Sequence, residues 1–497
     1  MSAGVDNSRI LLVHPLGYAP QAAGRDISRL ANIMPPLGLA SLAAYLEQHG
    51  LQADIIDCFA HPDSQQAIDG HVRKLRPGFV GFTCTTAGFL DAVRHAERIK
   101  RINPETRCVF GGHHVSALRE QTLDAYPMNI CSSLSEKETN KYSVVDYVVV
   151  GEGERPLLAL MQGKHPEKIP GLVWRGDDGV RFAGFQDASL ELDSLPFPAY
   201  EKLAGYPAAY QLPIFNYPAT PNASCISSRG CCFQCSYCDR SVFRRSFRFN
   251  SAEYLFAHVL HLHRRFGVRH INFYDDHFAF HRGRVEAFCE RMIAARLPIT
   301  FNCASRAEHL DPELLRLMKR AGCWMISLGI ESGDPDILKM HRHNPSLENH
   351  VRAIQEIHDA GIRVKGLLMI GLPGETEASF RRTMEFVFSL PIDDFNLAKF
   401  TPFPGAPLYE KIHELGTFHE DWEKMDCMHF QFIPRGMTEE QLQRLFTEFY
   451  KRHFIRPRIL LDYVAMLWRS PDSWRRFLLN LGSFLSFART DQRIQGG

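Results

Sequence analysis

The sequence contains no apolar run of about 18 residues, the length that a membrane-spanning helix needs. It also lacks an excess of charge of either sign, because 57 Lys and Arg face 56 Asp and Glu. Without a basic surplus no global field attracts nucleic acid, and we expect no nucleic-acid partner. The first residues show no basic segment followed by an apolar one, which is the pattern of a secretory signal, and this predicts a cytoplasmic location.

Hydrophobic residues make up 45% and aromatic residues 11% of the 497 residues, which is enough for folded domains rather than extended disorder. A chain of this length exceeds one hydrophobic core, and several packed units are expected. The 13 cysteines are expected to be thiols and metal ligands rather than disulfides, because no export signal is visible. Metal binding is therefore the first function to look for.

The first part of the chain alternates short β-branched runs with helix-length segments, which predicts a parallel α/β layer. Its clearest helix begins after Pro36 and ends at Gly50. A polar stretch at 132–143 indicates a surface loop, and a hairpin is expected around 176–179. The proline-rich run at 195–198 then indicates an extended linker.

Six further apolar runs follow, and each but the last precedes a helix-length segment. They lie near residues 223–228, 269–274, 299–304, 324–330, 364–370 and 394–400. Repeated βα units predict an open, partial TIM-like barrel of (βα)6 type. The predicted division is a Rossmann-like domain at 1–190, a linker at 191–215, a barrel core at 216–415 and a mostly helical C-terminal region at 416–497.

A cysteine-rich loop follows the first predicted barrel strand, with Cys231, Cys235 and Cys238 in the spacing Cys-x3-Cys-x2-Cys. Three thiolates on one loop can each bind one iron of a [4Fe-4S] cubane, which leaves the fourth iron without a protein ligand. Cys232 is awkwardly placed for a separate corner because it directly follows Cys231. The alternative is a structural zinc site, but no second ligand pair follows at the usual spacing of roughly 12–20 residues.

This loop resembles the signature of the radical S-adenosylmethionine (SAM) superfamily, including Arg229-Gly230 before the first cysteine and Tyr237 before the last. Cys232 is a difference, because relatives commonly have proline there. The resemblance extends over residues from about 220 to 410. It implies a [4Fe-4S] cluster whose open iron binds SAM, and cleavage of SAM to a 5′-deoxyadenosyl radical that abstracts hydrogen from a substrate.

The same resemblance implies SAM-binding residues at the carboxyl ends of the barrel strands, where βα barrels place their chemistry. Two aspartates follow the second strand in place of the family's common Gly-Gly-Glu, and residues 366–376 resemble the segment that packs the adenine ring. The implied SAM-binding residues are Tyr237, Asp275, Asp276, Arg306, Glu331, Ser332, Gly371, Pro373 and Gly374. For Asp275 and Arg306 a structural ion pair at the barrel rim is the alternative.

The first domain resembles the cobalamin-binding domains that precede class B radical SAM enzymes, through glycine-rich turns at its strand ends. The residues implied for cobalamin are Pro36, Leu37, Thr83, Thr85, Thr86, Gly111, Gly112, His113, Gly151 and Glu152. A cobalt-ligating Asp-x-His-x-x-Gly motif does not follow the first strand, so the lower face of a bound cobalamin is expected to have no protein nitrogen. The alternative is a Rossmann-like domain that binds no cofactor.

Together these resemblances imply a cobalamin-dependent radical SAM methyltransferase that acts on a small molecule and takes electrons from a flavodoxin or ferredoxin. A radical SAM cyclase or rearrangement enzyme is the first alternative, and a non-enzymatic cluster or cobalamin sensor is the second. Residues 474–485 combine an apolar face with two arginines, which fits peripheral contact with a membrane or packing onto the barrel mouth. A lipid-like substrate is one option that the sequence leaves open.

Overall fold

The structure is a computed structural model that describes residues 4–17, 32–125, 144–187 and 190–482. The surface loop expected at 132–143 lies outside these ranges. Among the helices of the described residues, none combines the length and apolar character needed to cross a bilayer.

A seven-stranded sheet forms the first unit. Its strands are β1 (Asp6–His14), β2 (Gln52–Asp57), β3 (Pro77–Thr83), β4 (Arg107–Gly111), β5 (Tyr147–Val149), β6 (Leu172–Gly176) and β7 (Gly179–Phe182). They lie in the order β2-β1-β3-β4-β5-β6-β7, in which β1 to β5 are parallel and β6 and β7 are antiparallel. The predicted parallel layer and the hairpin around 176–179 are confirmed.

Helices alternate with these strands, and they are α1 (Leu37–Gln48), α2 (Gln65–Leu75), α3 (Phe89–Ile102), α4 (His113–Leu118), α5 (Glu120–Ala125) and α6 (Glu154–Met161). Helix α1 begins after Pro36 as predicted, and Gly50 just beyond its end has a φ of +79°. The strand order reverses between β1 and β3. Open α/β sheets bind ligands outside the carboxyl ends of their strands at such a reversal, so this edge is the candidate cofactor crevice.

A six-stranded parallel sheet forms the second unit, with all six predicted strands present. They are β8 (Asn222–Cys225), β11 (His270–Phe273), β12 (Thr300–Ser305), β13 (Cys323–Glu331), β14 (Arg363–Ile370) and β15 (Asp394–Lys399). The order β8-β11-β12-β13-β14-β15 follows the chain, with β8 and β15 as edges, so the barrel is open as predicted. A two-stranded ribbon, β9 (Ser228–Arg229) and β10 (Arg248–Phe249), brackets the cysteine loop.

Helices cover the outside of this sheet and bury their apolar sides against it. They are α7 (Ala252–Phe266), α8 (Arg282–Ala295), α9 (Pro312–Arg320), α10 (Pro335–His341), α11 (Leu347–Asp359) and α12 (Glu377–Ser389). The first unit is docked on this core, because Leu37 and Ala40 of α1 belong to its hydrophobic cluster. Tyr200 and Tyr210, in the predicted linker, are also buried there, so the linker packs against the barrel core.

The C-terminal region is mostly helical, as predicted. It contains α13 (Ile412–Leu415), the ribbon β16 (Gly416–Phe418) and β17 (Phe432–Pro434), then α14 (Glu439–Phe454), α15 (Pro457–Arg469) and α16 (Pro471–Leu479). Asp462 of α15 pairs with Arg363 at the start of β14, and Ser470 donates to the carbonyl of Tyr217 ahead of β8. The last two helices therefore lie at the amino ends of the strands. The alternative that residues 474–485 pack onto the barrel mouth is therefore wrong, because the mouth lies at the carboxyl ends of the strands.

Candidate active site

The three signature cysteines lie on the loop between β9 and β10. Cys231 is half-buried, Cys235 is buried and Cys238 is exposed. The neighbouring Cys238 lowers the pKa of the Cys235 thiol to about 5, with further help from the Tyr237 hydroxyl and the Arg306 charge. Because iron binds the thiolate and not the thiol, this loop favours the ligand form of Cys235.

The donor set fits a cubane. Within the described part of the chain, no three Cys, His, Asp or Glu side chains gather closely enough to hold one metal ion. A cubane makes a different demand, because each thiolate binds a separate iron around a shared volume. Cys231, Cys235 and Cys238 are close enough to influence one another's pKa, so they border one volume.

Asp275, after β11, holds the start of the cysteine loop. Its carboxylate accepts hydrogen bonds from the Ser227 amide at 2.9 Å, from the Ser227 hydroxyl and from the Ser228 hydroxyl. The Arg284 guanidinium donates to the Ser227 carbonyl at 3.2 Å from the other side. These bonds match the structural role that was the alternative for Asp275, and a contact with SAM stays a prediction.

Two glutamates of the first unit hold the next residue of the loop. Arg229 donates to Glu152 at 2.5 Å and to Glu154 at 2.6 Å, and Arg248 donates to the other oxygen of Glu152 at 2.7 Å. The two carboxylates raise the already high pKa of Arg229, so the guanidinium stays charged. Glu152 was expected to contact cobalamin, and its described partners are instead the arginines that flank the cysteine loop. Spacing in the sequence offers no signal for this pairing, since 77 residues separate Glu152 from Arg229.

The turn into the loop requires glycine. Gly230 has a φ of +83°, and a Cβ there would stand 2.2 Å from the Ser246 carbonyl oxygen and 3.0 Å from the Phe243 Cβ. Any L side chain would therefore push the loop away from its support. This explains in physical terms why glycine precedes Cys231.

Glu331, at the end of β13, faces the same loop. Its φ is +66°, which is unusual for a residue with a side chain and is a form of strain that clusters at functional sites. Burial raises the pKa of its carboxyl to about 7, against the opposing effects of Arg342 and of the nearby Tyr237 hydroxyl. The structure thus brings two predicted SAM-binding residues, Glu331 and Tyr237, beside Cys235.

Arg306, which follows β12, places a positive charge beside the cysteines. Its guanidinium lies 3.9 Å from the centre of the Phe233 ring, and Nη1 lies 3.9 Å from the Cys235 Sγ. Nη2 donates to Glu308 at 2.6 Å and to the His343 carbonyl at 2.7 Å. The ion pair with Glu308 and the approach to Cys235 occur together, so the structural and functional interpretations of Arg306 are compatible.

The segment after β14 forms a glycine turn at the same end of the barrel. Gly371 and Gly374 have φ values of +88° and +81°, and the Gly371 amide donates to Glu375 at 2.6 Å. Glu375 is fully buried, its Oε1 has no hydrogen-bond partner among the described residues, and burial raises its pKa to about 8. Pro373 accepts a hydrogen bond from His341, and the buried Ser332 bonds to Thr383. These contacts hold the glycine turn in place at the carboxyl end of β14.

The carboxyl edge of the first sheet contains the residues expected for cobalamin. The Thr85 hydroxyl accepts from the Gly88 amide at 3.1 Å, and Thr86 lies 3.3 Å from His114, while Thr83 ends β3. Gly112, next to Gly111, has a φ of +103°, and a Cβ there would stand 2.8 Å from the Cys84 backbone. Glycine at position 112 therefore lets the loops after β3 and β4 pack backbone to backbone at this edge.

Three other residues expected to bind cobalamin make contacts within the protein itself. Leu37 is buried in the core of the second unit, and Pro36 precedes α1 beside it. The Gly151 amide donates to the Ser116 hydroxyl at 3.1 Å. Glycine turns with threonine hydroxyls at the carboxyl edge of a parallel sheet fit a nucleotide-bearing cofactor, and the individual contacts stay predictions.

The two units face each other across this edge. Ser241, beyond the cysteines, donates to the His113 carbonyl at 3.0 Å. Asp276, the second predicted aspartate, is close enough to His113 and to Cys231 for its charge to influence the pKa of the cysteine. His113, expected for cobalamin, therefore lies next to the cysteine loop.

His114 was not among the predicted residues. It is buried, burial lowers its pKa to about 4, and its ring lies between those of Phe89 and Trp422 at centroid distances of 4.5 and 4.6 Å. Arg94 also pairs with Glu423 at 2.8 Å. The C-terminal region therefore packs onto the first unit, a contact between distant segments that no local pattern signals.

Comparison with known proteins agrees with both units. Residues 225–387 match the family model for the radical SAM superfamily, and residues 26–161 match the model for the B12 binding domain. An uncharacterized methyltransferase of Pyrococcus horikoshii is 29% identical over 86% of this chain and 89% of its own length. The anaerobic magnesium-protoporphyrin IX monomethyl ester cyclase of Rubrivivax gelatinosus is 27% identical over 91% of this chain and 78% of its own.

Solved structures share the architecture. The radical SAM methyltransferase TsrM from Kitasatospora setae superposes with a TM-score of 0.63 at 17% identity, over 82% of this chain and 76% of that one. At this identity the match speaks for the fold alone. It supports the arrangement of an α/β unit on an open parallel barrel.

Proposed function

We propose that this chain, which belongs to the class B radical SAM enzymes, is a cobalamin-dependent methyltransferase acting on a carbon of a small molecule. The enzymes of this class use a [4Fe-4S] cluster, SAM and cobalamin. The observation that carries the proposal is the closeness of the first sheet's carboxyl edge to the cysteine loop: Ser241 donates to the His113 carbonyl, and Asp276 lies near both His113 and Cys231. Methyl transfer between two cofactors and a substrate needs such an arrangement.

The chain's own residues would bind and position the cofactors in this reaction. Cys231, Cys235 and Cys238 would bind three irons, and Arg306 would offset their negative charge. Glu331 and Tyr237 would orient SAM. When bound, the cluster supplies the electron that cleaves SAM, and cobalamin supplies a methyl carrier.

The relatives favour methylation over the alternative. Besides the methyltransferase of Pyrococcus horikoshii, they include the cytidylyl-2-hydroxyethylphosphonate methyltransferase of Streptomyces wedmorensis, 25% identical over 77% of this chain. A radical SAM cyclase stays the second candidate, because the Rubrivivax gelatinosus cyclase spans nearly the same share of the chain. All these relatives are named as enzymes, which speaks against a sensor.

Cobalamin retention is the first test. Protein purified without oxygen is mixed with excess hydroxocobalamin and passed through gel filtration, and cobalamin and iron are then measured together. We expect about one cobalamin per chain. An intact iron-sulfur chromophore without retained cobalamin would refute the methyltransferase and favour the cyclase.

The products of SAM separate the two candidates further. A methyltransferase forms S-adenosylhomocysteine as well as 5′-deoxyadenosine, whereas the cyclase forms only 5′-deoxyadenosine from SAM. Cys235→Ala should abolish both products, because one iron loses its ligand. Cys232→Ser is the matched control on the same loop, and it should retain the cluster and both products.

The remaining partners follow from this chemistry. A flavodoxin or ferredoxin would deliver the electron, and the substrate would be a small molecule, with a lipid-like compound as one class to screen. A cytoplasmic location belongs to the same proposal, since such donors are found there. Replacing a chemical reductant by reduced flavodoxin in the SAM-cleavage assay tests the donor, and failure to support turnover would exclude it.

A further inference from the structure

The last two helices carry a large exposed apolar face. On α15 the exposed residues are Leu460, Leu461, Val464, Leu467 and Trp468, and Leu478 and Leu479 of α16 continue the surface. Trp468 is 76% exposed and Leu461 is 70% exposed. Spacings of three, four and seven residues place the residues of α15 on one side of the helix. Contiguous apolar surface of this kind on a folded chain marks an interaction site.

The face is exposed although both helices are firmly docked. Ile459 and Met466, on the opposite side of α15, are fully buried. Asp462 pairs with Arg363 at 2.7 Å, and Arg458 pairs with Asp393 at 2.8 Å. The apolar residues therefore point outward because their helix is held by its other side.

The same region is locally basic. Residues 451–482 contain seven Lys or Arg and two Asp, whereas the whole chain has a net charge of only +1. Both aspartates have partners, since Asp462 pairs with Arg363 and Asp472 accepts from the Tyr217 hydroxyl. Three of the seven cations are also paired: Arg452 with Glu448, Arg458 with Asp393 and Arg469 with Asp462. Lys451 and Arg475 are exposed. An apolar helix face combined with basic residues is the pattern of helices that lie on anionic membranes.

We propose that the outer face of α15 and α16 is a docking surface for an anionic lipid bilayer. Charge complementarity favours this occupant over a second copy of the chain, since a symmetric dimer would bring two basic regions together. The surface lies at the amino ends of the barrel strands, opposite the cysteine loop. Docking would thus anchor the enzyme and leave the mouth of its barrel free. The surface extends beyond the predicted segment 474–485, and most of it lies on α15.

Vesicle flotation of the full-length protein tests this proposal without any catalytic turnover. We expect binding to vesicles of phosphatidylglycerol and phosphatidylcholine, weaker binding to pure phosphatidylcholine, and a loss of affinity with salt. The double variant L461E/W468E should lose at least about tenfold in affinity, since two large apolar side chains leave the interface. Arg475→Glu should weaken binding about fivefold or more by reversing one charge.

Met428→Glu is the matched control, because Met428 is 44% exposed and its neighbour Cys427 accepts a hydrogen bond from the Lys399 amide, at the opposite end of the barrel; its replacement should leave vesicle binding unchanged. Equal iron content and melting temperature show that each variant is folded. The dependence of vesicle binding on salt and on lipid is measured with the unaltered chain and needs no variant. Equal binding by L461E/W468E and the unaltered chain would overturn the proposal. So would a dimer in light scattering that L461E/W468E dissociates, because the occupant would then be a second copy.

Because the readout is lipid binding, a failure here leaves the methyltransferase proposal intact. Conversely, a chain that binds vesicles but retains no cobalamin would keep the docking surface and lose the proposed reaction. The two proposals therefore fail separately.

Discussion

The glutamate that bridges the two units offers a sharp prediction. Glu152 accepts one charged hydrogen bond from Arg229 and another from Arg248, and its side chain is 13% exposed. Such bonds contribute about 1.5–3 kcal/mol each, and removing one partner of a buried pair costs about 3–5 kcal/mol. Glu152→Gln keeps the shape, and Glu154 still holds Arg229, so we expect a loss of about 2–4 kcal/mol. For a unit of about 200 residues this lowers the melting temperature by roughly 5–10 °C.

The assay is thermal unfolding of the cobalamin-free protein, together with the rate at which a chelator removes iron from the reconstituted cluster. Glu152→Gln should melt earlier and lose iron faster, because Arg229 lies two residues before Cys231. Glu167→Gln is the control, since Glu167 pairs with Arg181 on the surface, where such a pair contributes about 0.2–1 kcal/mol. If Glu152→Gln matched Glu167→Gln in both measurements and only cobalamin affinity fell, the bridging role would be wrong and the predicted cofactor contact right.

Three further variants test the cysteine loop and the glycine turn. Gly230→Ala should prevent stable cluster assembly, measured as iron per chain, because its Cβ would meet the Ser246 carbonyl; normal iron content would contradict this. Arg306→Gln should lower the midpoint potential of the cluster by tens of millivolts in a redox titration, since a positive charge near Cys235 favours the reduced state, and an unchanged or higher potential would contradict it. Burial raises the pKa of Glu375 from about 4.5 to about 8, so its protonated form is favoured by folding. Stability should therefore fall by up to about 5 kcal/mol as pH rises from 4.5 through 8, and urea unfolding of Glu375→Gln should lack this loss.

The fold was readable from the sequence because it depends on local patterns. Each predicted barrel strand overlaps an observed one, since a buried parallel strand is a short apolar run ended by glycine or polar residues. The cysteine loop was readable for the same reason, because its ligands lie within eight residues. Local spacing is sufficient wherever the chemistry is local.

Long-range pairings were not readable. We expected Asp275 to contact SAM because it follows a strand. Its oxygens instead accept hydrogen bonds from Ser227 and Ser228, which precede it by 48 and 47 residues. The position of α15 and α16 beneath the barrel depends on Asp462 meeting Arg363, which are 99 residues apart. A helical pattern shows that a side is apolar, but it does not show which end of a barrel that helix covers.

The contacts of the cysteine loop explain why the two units would act together. The residues just before Cys231 are held by Asp275 from the barrel and by Glu152 and Glu154 from the first unit, while Gly230 fits against the Ser246 carbonyl. A shift of the first unit would pull on Arg229 and hence on the first iron ligand. The first unit and the cysteine loop are thus joined by one set of ion pairs, which hold the loop in place against the first sheet. Loss of that bridge should therefore affect cluster stability and the alignment of the two sites together.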